Sequence, residues 1–155
     1  QGQYFEIQLI TLIYRYLYQD NVQLLPGLRE LLVQLKAREI PVAIATSAER
    51  ANVDFILSQT GTEDYFQAIA DASMVSRGKP DPQVFLKAAE LLNIAPEKCL
   101  VFEDTLKGID AALKACMKVV GVATTHHKAE LTEAHQVITD FTEITADEII
   151  NILKQ

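Results

Sequence analysis

The hydrophobic residues from Leu28 onward alternate between a helical period and the short apolar runs of buried strands. Four leucines between Leu28 and Leu35 fall at i, i+3, i+4 and i+7 and predict a helix, and the apolar run at residues 41–46 predicts a strand. Further helices are predicted around residues 53–57, 82–92, 109–116 and 146–153, and further strands at residues 68–70, 99–102, 118–123 and 136–138. Strands that alternate with amphipathic helices indicate an α/β fold with a doubly wound parallel sheet.

The N-terminal segment is apolar between Tyr4 and Tyr18, with interruptions at Glu6, Gln8 and Arg15. It is too short to span a bilayer, and it lacks the basic start and small-residue cleavage site of a signal peptide. We expect a helix here, which ends before a break at residues 20–26.

Candidate chemistry lies where polar residues follow the predicted strands, because open parallel sheets bind ligands outside the carboxyl ends of their strands. Thr46 and Ser47 follow one strand, Glu103 and Asp104 follow another, and the loop at residues 76–82 carries Lys79. A hydroxyl with backbone N–H groups can hold phosphate, a lysine can neutralise it, and carboxylates can hold Mg²⁺. Together these residues predict a phosphate and magnesium site.

Each of these residues also has an ordinary structural interpretation. Ser47 would cap a helix that begins near residue 48, and Asp104 or Thr105 would cap the next helix. Lys79 alone would be a solvated loop lysine.

The histidines and cysteines give weaker signals. His126 and His127 have no carboxylate or cysteine companion at metal-ligand spacing, so we expect a surface loop there. Cys99 and Cys116 stand alone, and we expect both to be small buried hydrophobic residues in a reducing, cytoplasmic compartment, without a disulfide.

Composition narrows the range of partners. A chain of 155 residues with 49% hydrophobic content can bury one core, which fits a single main domain. A formal net charge of −7 disfavours a nucleic-acid partner, and no membrane partner is expected. Any phosphate that the chain binds must therefore be held locally.

Three motifs, taken in order, resemble those of the haloacid dehalogenase superfamily. They are Ala-Ile-Ala-Thr-Ser at residues 43–47, Gly-Lys-Pro-Asp-Pro at residues 78–82, and Val-Phe-Glu-Asp-Thr at residues 101–105, followed by Gly108-Ile109. The resemblance runs from Pro26 to about Phe141 and is greatest to the β-phosphoglucomutase-like and phosphoglycolate-phosphatase-like branch. It implies a Rossmann-like core and an Mg²⁺-dependent phosphoryl-transfer enzyme whose partner is a small phosphorylated metabolite.

The resemblance also implies a role for each site residue. Thr46 would hydrogen-bond the transferring phosphoryl group, with Ser47 and the following backbone N–H groups, and Lys79 would neutralise the phosphate and the nucleophile. Asp104 would bind Mg²⁺, with Glu103 as a direct or water-mediated ligand. Phosphoryl transfer needs such positioning and charge stabilisation from the protein.

The sequence departs from the family at the first motif. The family begins with a central strand that ends in Asp-x-Asp, whose first aspartate attacks phosphorus, and no such pair precedes Thr46. We therefore expect a gap in the sheet, whose unpaired backbone groups would each cost about 1–3 kcal/mol, and possible self-association through the incomplete sheet. Because this branch inserts a helical cap after its first strand, we assign residues 1–22 to a cap remnant and residues 23–155 to the core domain. A smaller departure is Cys116, where the family usually has glycine, so we expect a different helix end there.

Three functions stay open on this basis. The first is Mg²⁺-dependent hydrolysis of a small phosphomonoester through an aspartyl-phosphate in the intact protein, with this chain alone inactive. The second is a phosphosugar mutase, which would need a bisphosphate activator. The third is a noncatalytic binding module. Since substrate choice in this branch lies mainly in the cap, the sequence does not name the substrate.

Overall fold

The computed structural model describes residues 7–10, 14–18 and 21–155, with side chains from Val22 onward. Its elements are β1 (Ile7–Ile10), β2 (Tyr14–Tyr18), β3 (Asn21–Leu24), α1 (Leu28–Ala37), β4 (Val42–Ala45), α2 (Arg50–Thr60), β5 (Ala68–Ala70), α3 (Gln83–Leu92), β6 (Cys99–Glu103), α4 (Leu106–Lys114), β7 (Lys118–Val122), β8 (Gln136–Ile138) and α5 (Ala146–Leu153). Six strands form a parallel sheet in the order β5-β4-β1-β6-β7-β8. The predicted doubly wound parallel α/β fold is confirmed.

Each helix and strand predicted from Leu28 onward is present in the structure. One boundary matters for the site: β6 extends through Glu103, so this residue belongs to the strand and does not follow it. Within the described residues, no helix has the length and apolar character needed to cross a membrane.

The central strands send alternate side chains into two cores, one on each face of the sheet. On β6, Cys99 and Val101 pack under α3 and α4, whereas Leu100 and Phe102 pack under α1 and α5. Because side chains alternate along a strand, Glu103 continues onto the face covered by α3 and α4. This register brings a carboxylate into a buried position at the end of the strand.

The N-terminal segment differs from the prediction. Ile7–Ile10 forms β1, which pairs in parallel with β4 and β6, and β2 pairs with β3 in a separate antiparallel sheet. The predicted helix is therefore wrong over the described residues, and the centre of the sheet is not empty. The β-branched and aromatic residues of this segment suit strands, and pairing on both sides satisfies backbone groups that a gap would leave open. The expected self-association through an incomplete sheet is not supported, because β1 occupies the central position.

The strand at the central position does not supply the family's first motif. The sequence after β1 is Thr11-Leu12-Ile13, and no Asp-x-Asp pair occurs anywhere in the sequence. The division of the chain at residue 22 into a cap remnant and a core domain stays a prediction.

The two cysteines are both free thiols but lie in different surroundings. Cys99 is buried, as predicted, and burial raises the pKa of its thiol to about 12. Cys116 is exposed and follows α4 with φ 63°, the left-handed conformation that glycine adopts readily. The predictions that Cys116 is buried and that it changes the helix end are both wrong.

Candidate functional site

The carboxyl ends of β4 and β6, on either side of β1, contribute residues to a cleft of about 560 Å³. The cleft brings together all the site residues predicted from the sequence: Thr46, Ser47, Lys79, Glu103 and Asp104. Its other lining residues are Ala48, Thr105, Leu106, Lys107 and His126. The strand order reverses around β1, and open α/β sheets bind ligands at such a position.

Thr46 follows β4 and is 7% exposed. Its N–H donates to the Ala70 carbonyl at 2.9 Å, and its Oγ1 accepts from the Ala48 N–H at 3.0 Å. The Thr46 hydroxyl donates to no residue that the structure describes, so its hydrogen is available to a ligand in the cleft.

Ser47 is exposed at the mouth of the cleft. Helix α2 begins only at Arg50, and its N-cap residue is Glu49. The alternative interpretation of Ser47 as a helix cap is therefore wrong, and its hydroxyl faces the same space as that of Thr46.

Lys79 is nearly buried, with 10% of its side chain exposed. Its Nζ lies 2.8 Å from Oε2 of Glu103 and 4.9 Å from the centre of the Phe85 ring. The ion pair and the aromatic face hold the ammonium in one place. The alternative of a solvated loop lysine is wrong.

Glu103 is 1% exposed, and both of its oxygens accept hydrogen bonds. Oε2 accepts from Lys79, while Oε1 accepts from the N–H groups of Asp104 and Thr105, both at 3.1 Å, and from the Thr105 hydroxyl at 2.9 Å. These donors compensate the burial of the charge. Direct binding of a metal would displace some of them, which favours the water-mediated one of the two roles predicted for Glu103.

Helix α4 starts against this carboxylate. Thr105 is its N-cap, and the Thr105 Oγ1 accepts from the Gly108 N–H at 3.0 Å. Thr105 is thus the capping residue and Asp104 is not. A Cβ at Gly108 would overlap the side chain of Glu103, so the close approach of the helix requires glycine.

Asp104 lies one residue past β6 and is partly exposed to the cleft. Its Oδ2 accepts from the Thr124 hydroxyl at 3.1 Å. Burial, and then the neighbouring Glu103, raise the pKa of the Asp104 carboxyl. A cation in the cleft would offset the repulsion between the two carboxylates.

The donor set agrees with a magnesium ion bound mainly by Asp104. Mg²⁺ takes oxygen ligands and is often held by one or two carboxylates together with several water molecules. Across residues 22–155, no three His, Cys, Asp or Glu side chains are grouped so that they could hold a metal by themselves. Asp104 therefore fits as one ligand of an ion whose remaining ligands come from water or from the phosphoryl group.

His126 and Lys107 were not selected by the sequence analysis, yet both line the cleft. His126 is 31% exposed in its side chain, with Nδ1 at 3.7 Å from Oε2 of Glu130. Only their positions in the fold could have indicated a role for these residues. His126 follows the carboxyl end of β7, and Lys107 lies in the first turn of α4. His127 is exposed, as expected for a surface loop.

The family model described as haloacid dehalogenase-like hydrolase matches residues 1–115. The chain is 38% identical over 118 residues to validoxylamine A 7'-phosphate phosphatase of Streptomyces hygroscopicus subsp. limoneus, covering 76% of the chain and 55% of that protein. It is 42% identical over 99 residues to β-phosphoglucomutase of Bacillus subtilis, covering 64% of the chain and 43% of that protein.

A solved structure shows the same fold. A HAD hydrolase of family IA, variant 3, from Entamoeba histolytica superimposes with a TM-score of 0.81 at 33% identity, covering 87% of this chain and 63% of that one. The chain spans about half the length of the two curated relatives.

Proposed function

Because the chain belongs to the haloacid dehalogenase-like hydrolase family, in its β-phosphoglucomutase-like branch, we propose that it forms the phosphoryl-binding core of an Mg²⁺-dependent phosphatase for small phosphomonoesters. The observation that carries this proposal is the meeting of Thr46, Lys79 and Asp104 in one cleft. A hydroxyl donor, a cation and a carboxylate are the groups that position a phosphoryl group and its metal.

The phosphoryl group would be held by donors that are already in place. The Thr46 hydroxyl would donate to one phosphoryl oxygen and Ser47 to another, and Lys79 would neutralise their charge. Lys79 is fixed by Glu103 and by the Phe85 ring, so little reorganisation is needed when charge develops. Preorganised donors of this kind supply much of the rate enhancement in phosphoryl transfer.

Asp104 would hold the metal, with its carboxylate oriented by the Thr124 hydroxyl, and Glu103 would contribute through water. When bound, Mg²⁺ would supply positive charge beside the phosphoryl oxygens. Glu103 would also position Lys79, since its Oε2 accepts a hydrogen bond from the ammonium.

The chemical step we propose passes through an aspartyl-phosphate on the first Asp of an Asp-x-Asp pair, which this sequence does not contain. The chain as given should therefore bind phosphate without turning over a phosphomonoester. A cytoplasmic location is part of the proposal, supported by two free cysteines, which suit a reducing compartment.

The test is a titration of the chain with inorganic phosphate in the presence of Mg²⁺, followed by calorimetry. Thr46→Val keeps the shape of the side chain and removes the hydroxyl, so the Kd should rise about tenfold, the equivalent of one charge-assisted hydrogen bond. Thr132→Val, an exposed threonine outside the cleft, is the matched control and should leave the Kd as it is. Equal phosphate affinity in wild type and Thr46→Val would overturn the proposed site.

A phosphosugar mutase is the second candidate, because the 42% identity to β-phosphoglucomutase of Bacillus subtilis is as close as the likeness to the phosphatase. The two functions separate once a strand with Asp-x-Asp is joined to the chain. A phosphatase releases phosphate to water, whereas a mutase needs a bisphosphate activator and keeps the phosphate on the sugar.

A further inference from the structure

We infer that Lys107 and His126 select phosphomonoesters that carry a second anionic group, a carboxylate or a second phosphate, away from the phosphoryl group. The two residues are called here the Lys107–His126 rim. The inference rests on the proposed function, since it assigns the other end of the ligand whose phosphoryl group meets Thr46 and Lys79.

The cleft has room for more than a phosphoryl group. Its volume of about 560 Å³ lies within the range of roughly 300–1,000 Å³ typical of pockets that hold a whole small molecule. Both residues of the rim line this same cleft, together with Thr46, Lys79 and Asp104. One ligand can therefore contact both groups of residues.

Lys107 is a cation of the cleft that can pair with a ligand. The Lys79 ammonium is paired with Glu103 at 2.8 Å, whereas Lys107 makes no ion pair or hydrogen bond with any residue in the described part of the chain. Lys107 is exposed at the cleft. An anionic group on the ligand would be its first charged partner.

The position of Lys107 in its helix is electrostatically unfavourable. Lys107 lies in the first turn of α4, which contains no acidic residue, as is also true of the first turns of α2 and α3. The N-terminus of a helix carries partial positive charge, so a lysine there is unfavourable unless an anion binds beside it. Such departures from a local rule are expected at functional sites.

His126 is the second residue of the rim, and Leu106 lines the cleft together with it. The His126 Nδ1 faces Glu130 at 3.7 Å, and its other ring nitrogen bonds to no residue within the described ranges, which leaves it for a ligand. Leu106 is 50% exposed and offers an apolar contact to the carbons between the two anionic groups. The rim thus provides a cation and a polar ring nitrogen, and Leu106 provides an apolar surface.

The experiment measures the affinity of the full chain for matched ligands by calorimetry in the presence of Mg²⁺. The probes are inorganic phosphate, 2-hydroxyethyl phosphate, 2-phosphoglycolate, which has a carboxylate in place of the alcohol, and ethylene glycol bisphosphate. Wild type should bind at least one of the two doubly anionic probes about tenfold more tightly than 2-hydroxyethyl phosphate. The tighter of these two identifies the second group as carboxylate or phosphate.

Substitutions assign this preference to the rim. Lys107→Met should reduce the preference to about twofold or less, and His126→Phe, which keeps a ring and removes the nitrogens, should reduce it in part. Lys114→Met removes the same charge from the other end of α4, where Lys114 pairs with Asp110, and should retain the full preference.

The outcomes separate the two proposals. Phosphate binding without a preference in wild type, or with a preference that survives in Lys107→Met, overturns the rim assignment alone. Failure of inorganic phosphate to bind overturns the proposed function, and the rim assignment with it.

Discussion

At the scale of single residues, Glu103 and Lys79 are the pair on which the geometry of the cleft depends. A carboxylate that is 1% exposed is tolerated because Lys79, Thr105 and two backbone N–H groups all donate to it. The sequence motif places a lysine and a glutamate near one site. It does not show that each uses the other as its partner, because this depends on the register of β6.

Removing Lys79 should therefore leave the buried Glu103 carboxylate without its counter-ion. We expect Lys79→Met to lower the free energy of unfolding by about 3–5 kcal/mol. The double variant Lys79→Met/Glu103→Gln should recover a large part of this loss, because the charge that needed a partner is gone. Urea unfolding of the two single variants and of the double variant gives the three losses in free energy of unfolding. A loss in the double variant equal to the sum of the losses in Lys79→Met and Glu103→Gln would contradict the pairing.

At the scale of elements, the contact between α4 and β6 places the acidic pair at the cleft. Alanine favours helices over glycine by about 1 kcal/mol, yet a Cβ at Gly108 would overlap Glu103. We expect Gly108→Ala to cost about 1–3 kcal/mol of stability through overpacking, and to weaken phosphate binding because Glu103 moves with Lys79. Thermal unfolding and phosphate titration provide the two readouts.

Gly78 is the control for this substitution. A Cβ there would meet no atom within 4 Å, and its φ is not in the left-handed region. Gly78→Ala should therefore leave stability unchanged within about 0.5 kcal/mol. Equal stability of the two variants would show that α4 does not pack on Glu103 as described.

The elements also show what the sequence can and cannot predict. From Leu28 onward the hydrophobic periods are regular, and every predicted helix and strand is present. The helix prediction for the N-terminal segment was wrong because short apolar runs fit a helix or a strand equally well. The pairing of β1 with β4 and β6 joins residues that are far apart in sequence, so local periodicity does not show it. Lys107 and His126 went unselected for a similar reason, since the ends of α4 and β7 meet only in the folded chain.

At the scale of the whole molecule, His135 links stability to pH. Its Nδ1 accepts from the Val119 N–H at 3.0 Å, so the bond requires that this nitrogen be unprotonated. Partial burial of the imidazole, and then the charge of Lys118, lower the pKa of His135 from the ordinary value of 6.5. As pH falls below about 6.5, the unfolded chain takes up this proton before the folded one does.

Stability from His135 should thus be present above pH 6.5 and be lost as pH falls toward the lower pKa of the folded state. The loss should be small because His135 is exposed. Urea unfolding at about pH 7.5 and pH 5.5 should show a smaller decrease in His135→Asn than in wild type. His127→Asn is the control and should lose as much stability between the two pH values as wild type does. An equal loss in His135→Asn and in wild type would contradict the role of His135.

In the proposed site, residues from three distant parts of the chain surround one phosphoryl group and one metal ion. The coupling between phosphate binding and Mg²⁺ binding tests this arrangement most directly. If Asp104 holds Mg²⁺ beside the phosphoryl group at Thr46 and Lys79, each should strengthen the binding of the other by the same factor. Phosphate titrations with and without Mg²⁺ should show about tenfold tighter binding with the metal in wild type, and no metal effect in Asp104→Asn. An equal effect of Mg²⁺ on phosphate affinity in both proteins would contradict the account.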